Sequence, residues 1–178
     1  MQIKKNIWAI LIMASVLSLG FGLPKNIHKK VIKEVEKVFE IAEISMDPVI
    51  IPENLKEKLP VQLHTENFFS LSNHSDKLGY VFVDQAPSKT AKFDYMVVFD
   101  NELRIVHSKV LIYREEYGGE IGSKRWLKQF LGMSGDDRVN HETNIDGISG
   151  ATISVRSMTN SMDNLLQTIG ILQHNQAL

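Results

Sequence analysis

The stretch "DGISGATISVRSMT", residues 146–159, places four small residues in front of Thr152 and an apolar-periodic segment behind it. A helix that starts here leaves unpaired backbone amides and the positive end of its dipole, which favour a bound phosphate. Small side chains let a phosphate approach the backbone without a steric clash. The Thr152 hydroxyl could donate a hydrogen bond to that phosphate or become esterified to it. The stretch therefore predicts a site for a phosphate-bearing ligand.

A structural interpretation of the same stretch is a tight left-handed turn followed by a threonine cap. This interpretation explains Gly150 and Thr152, but it gives no reason for Asp146, Ser149 and Ala151 together. The ligand-binding interpretation is therefore preferred, with the cap as the alternative.

Other candidate motifs are weaker. "GGEIGSK", residues 118–124, lacks the Gly-Lys-Ser/Thr ending of a phosphate loop and predicts a flexible loop instead. The 6 histidines show no ligand spacing, so we predict no metal site. Glu115 and Glu116 are adjacent in sequence, which favours a solvated pair over an acid–base pair. No catalytic residue is assigned.

Composition limits the classes of protein and partner. The chain has 178 residues, which suits one domain with a substantial core. Its net charge of -1, from 20 basic and 21 acidic residues, gives no strong attraction to nucleic acid. Because there is no cysteine, disulfides, thiolate metal sites and iron–sulfur clusters are excluded.

Residues 1–23 predict a targeting segment. Lys4 and Lys5 precede an uncharged run from Ile7 to Leu23, as in a secretory signal peptide. The run is near the lower length limit of a membrane-spanning helix, about 17 residues. A cleaved signal and an uncleaved anchor, holding the protein in the membrane, are equal alternatives. Both predict an exported body, in the periplasm or on the outer face of the inner membrane.

Residues 24–77 predict a helical stalk and an irregular lead-in. Within 25–44, apolar residues recur at helical spacing with lysines and glutamates between them, which is typical of an amphipathic helix. Three prolines between positions 48 and 60 then interrupt the chain around a short helix at 53–59. Residues 64–79 have no stable period and predict no regular element.

Residues 78–175 predict an α+β domain in which an antiparallel sheet packs with helices. Apolar and aromatic residues alternate in three segments, residues 79–84, 92–100 and 103–113. A tight turn at Asp100–Glu102 separates the last two strands, with Asn101 suited to a left-handed conformation. A short helix follows at 123–132, and an amphipathic helix with one apolar face runs from Thr152 toward the C-terminus.

The 146–159 stretch resembles the flavinylation motif of the FMN-binding domain family. That family includes the C subunit of sodium-pumping NADH:quinone oxidoreductase and the G subunit of the Rnf electron-transport complex. The resemblance covers roughly residues 79–171, and its order of elements agrees with the order predicted above.

In that family the threonine that ends the Ser/Thr-Gly-Ala-Thr tetrad is joined to FMN through a phosphoester. A secreted flavin transferase makes the bond, using FAD. The resemblance therefore implies that Thr152 carries a covalent FMN. Thr159 also matches a position that family members fill in the same way. The other positions that the resemblance assigns to cofactor binding here are Asp146, Gly147, Ser149, Gly150, Ala151, Ser154 and Arg156, the last two as phosphate neighbours.

One stretch departs from the family pattern. Related subunits often carry Glu-Thr-Pro-Gly-Leu-Gly after the last strand, lining the flavin, whereas this chain reads "REEYGGEIGS" at 114–123. Glu116 and the glycines are kept, so Glu116 is included among the cofactor-binding residues. Tyr113, Tyr117 and Trp126 could stack on the flavin ring, although core packing is favoured for Trp126.

The resemblance implies an electron carrier more than a stand-alone enzyme. Its partners would be a flavin transferase and redox proteins of a membrane-associated chain. Two alternatives stay open. The chain could be a flavin-free binding module of the cell surface, or a flavin reductase for a small substrate with Glu116 or Tyr117 as proton donor.

Overall fold

The computed structural model describes residues 23–178. In this part of the chain, five strands form one antiparallel sheet in chain order, β1 (Ser45–Pro48), β2 (Phe68–Asn73), β3 (Asp76–Pro87), β4 (Lys92–Asp100) and β5 (Ile105–Ile112). The helices are α1 (Lys25–Phe39), α2 (Glu53–Lys56), α3 (Lys124–Leu127) and α4 (Thr152–His174), with short 3-10 turns at Gly119–Gly122 and Lys128–Phe130. The predicted α+β class is confirmed.

The predicted signal peptide or anchor at residues 1–23 lies outside the described residues, apart from Leu23. None of the helices within 23–178 combines the length and the apolarity that crossing a membrane requires.

Both faces of the sheet are covered, so residues 23–178 form three layers. On β3, Tyr80 and Phe82 belong to the core cluster that includes Met158 of α4. The alternate residues, Val81 and Val83, belong to a second cluster with residues of α1. Since successive side chains of a strand point to opposite faces, the central strands bury apolar residues continuously.

Helix α1 lies on the sheet, which differs from the predicted stalk. Its stripe of Ile27, Val31 and Val35 is buried against one sheet face. The Glu34 carboxylate accepts a hydrogen bond from Lys109 on β5 and so ties the helix to the edge strand. The amphipathic helix predicted within 25–44 is present over Lys25–Phe39, but the surface that its stripe covers comes from strands distant in sequence.

The lead-in predicted as irregular supplies two strands. β2 pairs with β3 with Phe68 opposite Phe82, and β1 forms the sheet edge beside β2. Because apolar residues of β2 are buried on both faces, its sequence lacks the alternation of a half-exposed strand. The short helix predicted at 53–59 is present but shorter, since α2 ends at Lys56.

The hairpin between β4 and β5 is present, but its left-handed residue is Leu103, with φ 62°, and not Asn101. The Asp100 carboxylate accepts hydrogen bonds of 2.9 Å from the amides of Glu102 and Arg104, which fixes the turn. The left-handed conformation therefore falls on Leu103, a residue buried in the core, and not on the exposed Asn101.

Candidate functional site

The site forms where α4 begins. Ala151 occupies the cap position with φ −123° and ψ 22°, and no side chain caps this end. The first helical hydrogen bond runs from the Val155 amide to the Ala151 carbonyl at 2.9 Å. The amides of residues 152–154 therefore precede that bond and point out of the helix end.

Thr152 is the first helical residue and not the cap that the structural interpretation required. Its side chain is exposed. The left-handed turn of that interpretation is present at Gly150, whose φ is 80°, and the Ala151 amide closes it by donating to Ile148 at 3.1 Å. The turn directs Thr152 outward without using its hydroxyl.

An open cleft of about 650 Å³ lies at this helix end. Three parts of the chain form it: the turn between β3 and β4, the segment that follows β5, and the start of α4. The lining residues are Lys89, Thr90, Tyr113, Glu115, Glu116, Tyr117, Gly150, Ala151, Thr152, Ile153 and Ser154.

Tyr113 joins the segment after β5 to α4. Its hydroxyl lies 3.0 Å from the Ser154 hydroxyl and donates to the Tyr117 carbonyl at 3.1 Å. Gly118, with φ 84°, lies so close that an added Cβ would be 2.9 Å from the Tyr113 hydroxyl and 3.0 Å from the Ala151 Cβ. These contacts hold the segment against the loop that presents Thr152.

Glu115 joins the same segment to the turn between β3 and β4. Its carboxylate accepts hydrogen bonds from the Ser88 hydroxyl (2.6 Å), the Thr90 amide (2.6 Å) and hydroxyl (2.9 Å), and the Ala91 amide (3.1 Å). The hydrogen bond from Ser88, followed by those from Thr90, lowers the pKa of Glu115 to about 2. The interpretation of Glu115 as a solvated residue missed this role, because its partners lie 24 to 27 residues away.

Glu116 differs from its neighbour. Its side chain is exposed in the cleft lining. Of the three aromatic candidates for ring stacking, Tyr117 is 76% exposed in the cleft. Trp126 is 5% exposed and packs edge-on against Phe130, with centroids 5.3 Å apart.

Asp146 and Gly147 line a different cavity of about 610 Å³, together with Trp126. The Trp126 indole donates to the Asp146 carbonyl at 2.7 Å, and the Asp146 amide donates to the Gln129 side chain at 2.7 Å. Trp126 and Gln129 thus hold the start of the loop through its backbone.

The other predicted residues are also placed. Ser149 is exposed on the loop, and Arg156 donates from Nε to the His141 ring at 3.1 Å. Thr159 is a fully buried residue of α4 and lies outside the cleft lining. The described part of the chain brings no group of three or more histidine or acidic side chains together in a way that could hold a metal ion.

The family model of the FMN-binding domain matches residues 90–167. The match begins on the turn that carries Thr90 and ends within α4, so it spans the cleft lining except Lys89. A search of the curated proteins found no match.

Proposed function

Residues 90–167 of this chain are an FMN-binding domain, and from that premise we propose that the protein carries FMN covalently on Thr152 and acts as an electron carrier. The observation that carries the proposal is the position of Thr152. It is an exposed residue at the first position of an uncapped helix of 23 residues, in the lining of an open cleft.

The residues present fit a phosphate-linked flavin. The amides at the start of α4 and the helix dipole suit the phosphate. Gly150 and Ala151 leave space beside the Thr152 hydroxyl, and Tyr117 and Ile153 offer exposed apolar surface for a flat ring. The volume of about 650 Å³ lies within the usual range of cofactor sites, about 300–1,000 Å³.

Attachment would be a transfer from FAD. The Thr152 hydroxyl oxygen would attack the phosphorus of the FMN half of FAD, forming a new O–P bond as the bond to AMP breaks. AMP would leave with the electron pair of that bond, and the hydroxyl proton would be released. Because the Thr152 side chain is exposed and the two residues before it, Gly150 and Ala151, are small, a flavin transferase can reach it.

When bound, FMN supplies one- and two-electron chemistry. The chain's own contribution is to hold the flavin at a fixed place and to leave it accessible. An ester bond also prevents loss of the cofactor from an exported protein into a dilute exterior. The proposal therefore includes export, retention at the membrane by residues 7–23 where they are not cleaved, and redox proteins of that membrane as partners.

The test is the intact mass of the full chain after co-expression with a flavin transferase, followed by peptide mapping. The expected result is a gain equal to FMN minus water on the peptide that contains Thr152. Thr152→Ala should abolish the gain, while Thr143→Ala, which removes an exposed threonine from the preceding loop, should leave it unchanged.

An unmodified wild-type chain, with a transferase that modifies a known substrate in parallel, would contradict the proposal. That outcome would favour the flavin-free binding module. If the Thr152→Ala chain were still modified, with the added mass on Ser149, Thr152 would not be the required attachment residue.

A further inference from the structure

The turn between β3 and β4 brings a cation to the cleft. Among the described residues that line the cleft, Lys89 carries the one positive charge. The negative charges of the lining are on Glu115 and Glu116. Since an FMN phosphodiester is an anion, the position of Lys89 relative to these carboxylates determines whether the cleft attracts it.

The turn is fixed at both ends. The Ser88 amide donates to the Ala91 carbonyl at 2.8 Å, which closes the turn on itself. The carbonyl of Pro87 accepts a hydrogen bond from Ser157, on the second turn of α4. Lys89 therefore projects from a turn that is attached to the helix bearing Thr152.

Glu115 supplies the remaining attachment. Its four accepted hydrogen bonds come from Ser88, Thr90 and Ala91, the residues on both sides of Lys89. The Glu115 carboxylate therefore faces the backbone and hydroxyl donors of the turn. Glu116 lines the cleft, and the hydrogen bonds among the described residues include none to its carboxylate. Two adjacent glutamates thus have different surroundings.

We propose that Lys89 is a phosphate-binding residue of the flavin site and that Glu115 is the positioning residue that holds the turn, so that Lys89 faces the anion beside Thr152. This inference rests on the proposed function and adds to it a subsite for the phosphate of FAD and FMN. Glu116 opposes the anion by like-charge repulsion.

The experiment measures the initial rate of FMN incorporation into the purified, unmodified full chain, with FAD and a flavin transferase. Lys89→Gln should lower the rate about tenfold, as expected on losing one charge-assisted contact. Raising the salt concentration should reduce the difference between wild type and Lys89→Gln, because an exposed charge is screened.

The two glutamates give the sharpest comparison. Glu116→Gln should raise the rate by about twofold, because it removes a like charge from the cleft. Glu115→Gln should lower the rate, although it removes the same charge, because the turn loses its carboxylate acceptor. If Glu115→Gln raised the rate as Glu116→Gln does, Glu115 would be a cleft charge only and the positioning role would be refuted.

A double variant tests whether Glu115 acts through Lys89. The double variant Lys89→Gln/Glu115→Gln should be nearly as fast as Lys89→Gln alone, because displacing the turn has no further effect once the Lys89 charge is absent. The inference would be overturned if the double variant lost the product of the two single rate reductions, or if wild type and Lys89→Gln incorporated FMN at equal rates. Thermal unfolding of each variant checks that the domain is folded.

Failure of this inference is separable from failure of the proposed function. If the wild-type chain takes up no FMN under conditions where a control substrate does, the proposed function fails. If the wild type is modified on Thr152 at the same rate as every variant of this series, only the phosphate subsite fails.

Discussion

The two ends of the loop 146–151 line different cavities and are held in different ways. At its start, Asp146 is fixed through its backbone by Trp126 and Gln129. At its end, Gly150 and Ala151 lie beside exposed side chains, Thr152 and Tyr117, at an uncapped helix start. The first end has the contacts of a core and the second has the accessibility of a binding site. One motif therefore combines an anchor with a presented hydroxyl.

Residues of one motif therefore have two different roles, positioning the loop and lining the cleft. Asp146 and Gly147 match the flavinylation motif as well as Thr152 does, yet they line the second cavity and not the cleft. Their contacts are those of a segment that sets the position of the loop. We expect changes at the anchored end to alter stability first and flavin attachment only as a consequence.

The largest effect should come from the anchored end. Trp126→Ala removes a side chain that is 5% exposed, together with its bond to the Asp146 carbonyl. A loss of about 3–5 kcal/mol in the free energy of unfolding is expected from the cavity and the unpaired carbonyl. Chemical denaturation followed by circular dichroism measures it.

Trp126→Phe is the matched control, since it keeps most of the apolar volume and loses the indole donor. Its free energy of unfolding should lie between those of wild type and Trp126→Ala. A Trp126→Ala protein as stable as wild type would show that this end of the loop is not anchored.

A second prediction concerns the contact between two of the three parts that form the cleft, the segment after β5 and the loop before α4. Gly118→Ala places a Cβ 2.9 Å from the Tyr113 hydroxyl and 3.0 Å from the Ala151 Cβ, at φ 84°. The strained backbone alone costs about 1–2 kcal/mol, and the segment must also move away from Ala151. Both the midpoint of denaturation and the rate of FMN attachment should fall.

Gly119→Ala is the control for Gly118→Ala, because an added Cβ at Gly119 meets nothing within 4 Å. Equal effects of the two substitutions would mean that the close approach at Gly118 does not hold the cleft together.

A third prediction uses acid. The pKa of Glu115 is lowered to about 2 from its ordinary value of 4.5 by its hydrogen bonds from Ser88 and Thr90. A lowered pKa means that the contribution of Glu115 to stability is fully present above about pH 4.5 and is lost as the pH falls through about 2. The hydrogen bonds from the turn between β3 and β4 to the Glu115 carboxylate should therefore persist at pH 3.

Carbon NMR of the glutamate side-chain carboxyls measures that titration, and Glu115→Gln identifies the resonance by its disappearance. A Glu115 signal that titrates near pH 4.5 would show that these hydrogen bonds do not hold the turn in solution.

The sequence predicted the parts of this molecule that depend on neighbouring residues. The strand-forming run of β4, the amphipathic stripes of α1 and α4, and the turn at Gly150 are local patterns, and all are present. β2 was missed because it is short and contains Ser70, Ser72 and Asn73, residue types that are common in turns. The hydrogen bonds that Glu115 accepts were missed because their donors lie on the turn between β3 and β4, and no sequence spacing relates that turn to Glu115.

The smallest effect should appear at the open end of the loop, at Tyr117. This residue is 76% exposed, so Tyr117→Leu should change the free energy of unfolding by no more than about 0.5 kcal/mol. If the flavin ring lies against Tyr117, stacking quenches flavin fluorescence, and the flavinylated Tyr117→Leu protein should be brighter than wild type. Ile153→Ala, at the other exposed apolar residue of the cleft, should leave the quenching unchanged because an aliphatic side chain does not quench. Equal fluorescence of wild type and Tyr117→Leu would place the ring elsewhere in the cleft, and the open end would then present the phosphate without holding the ring.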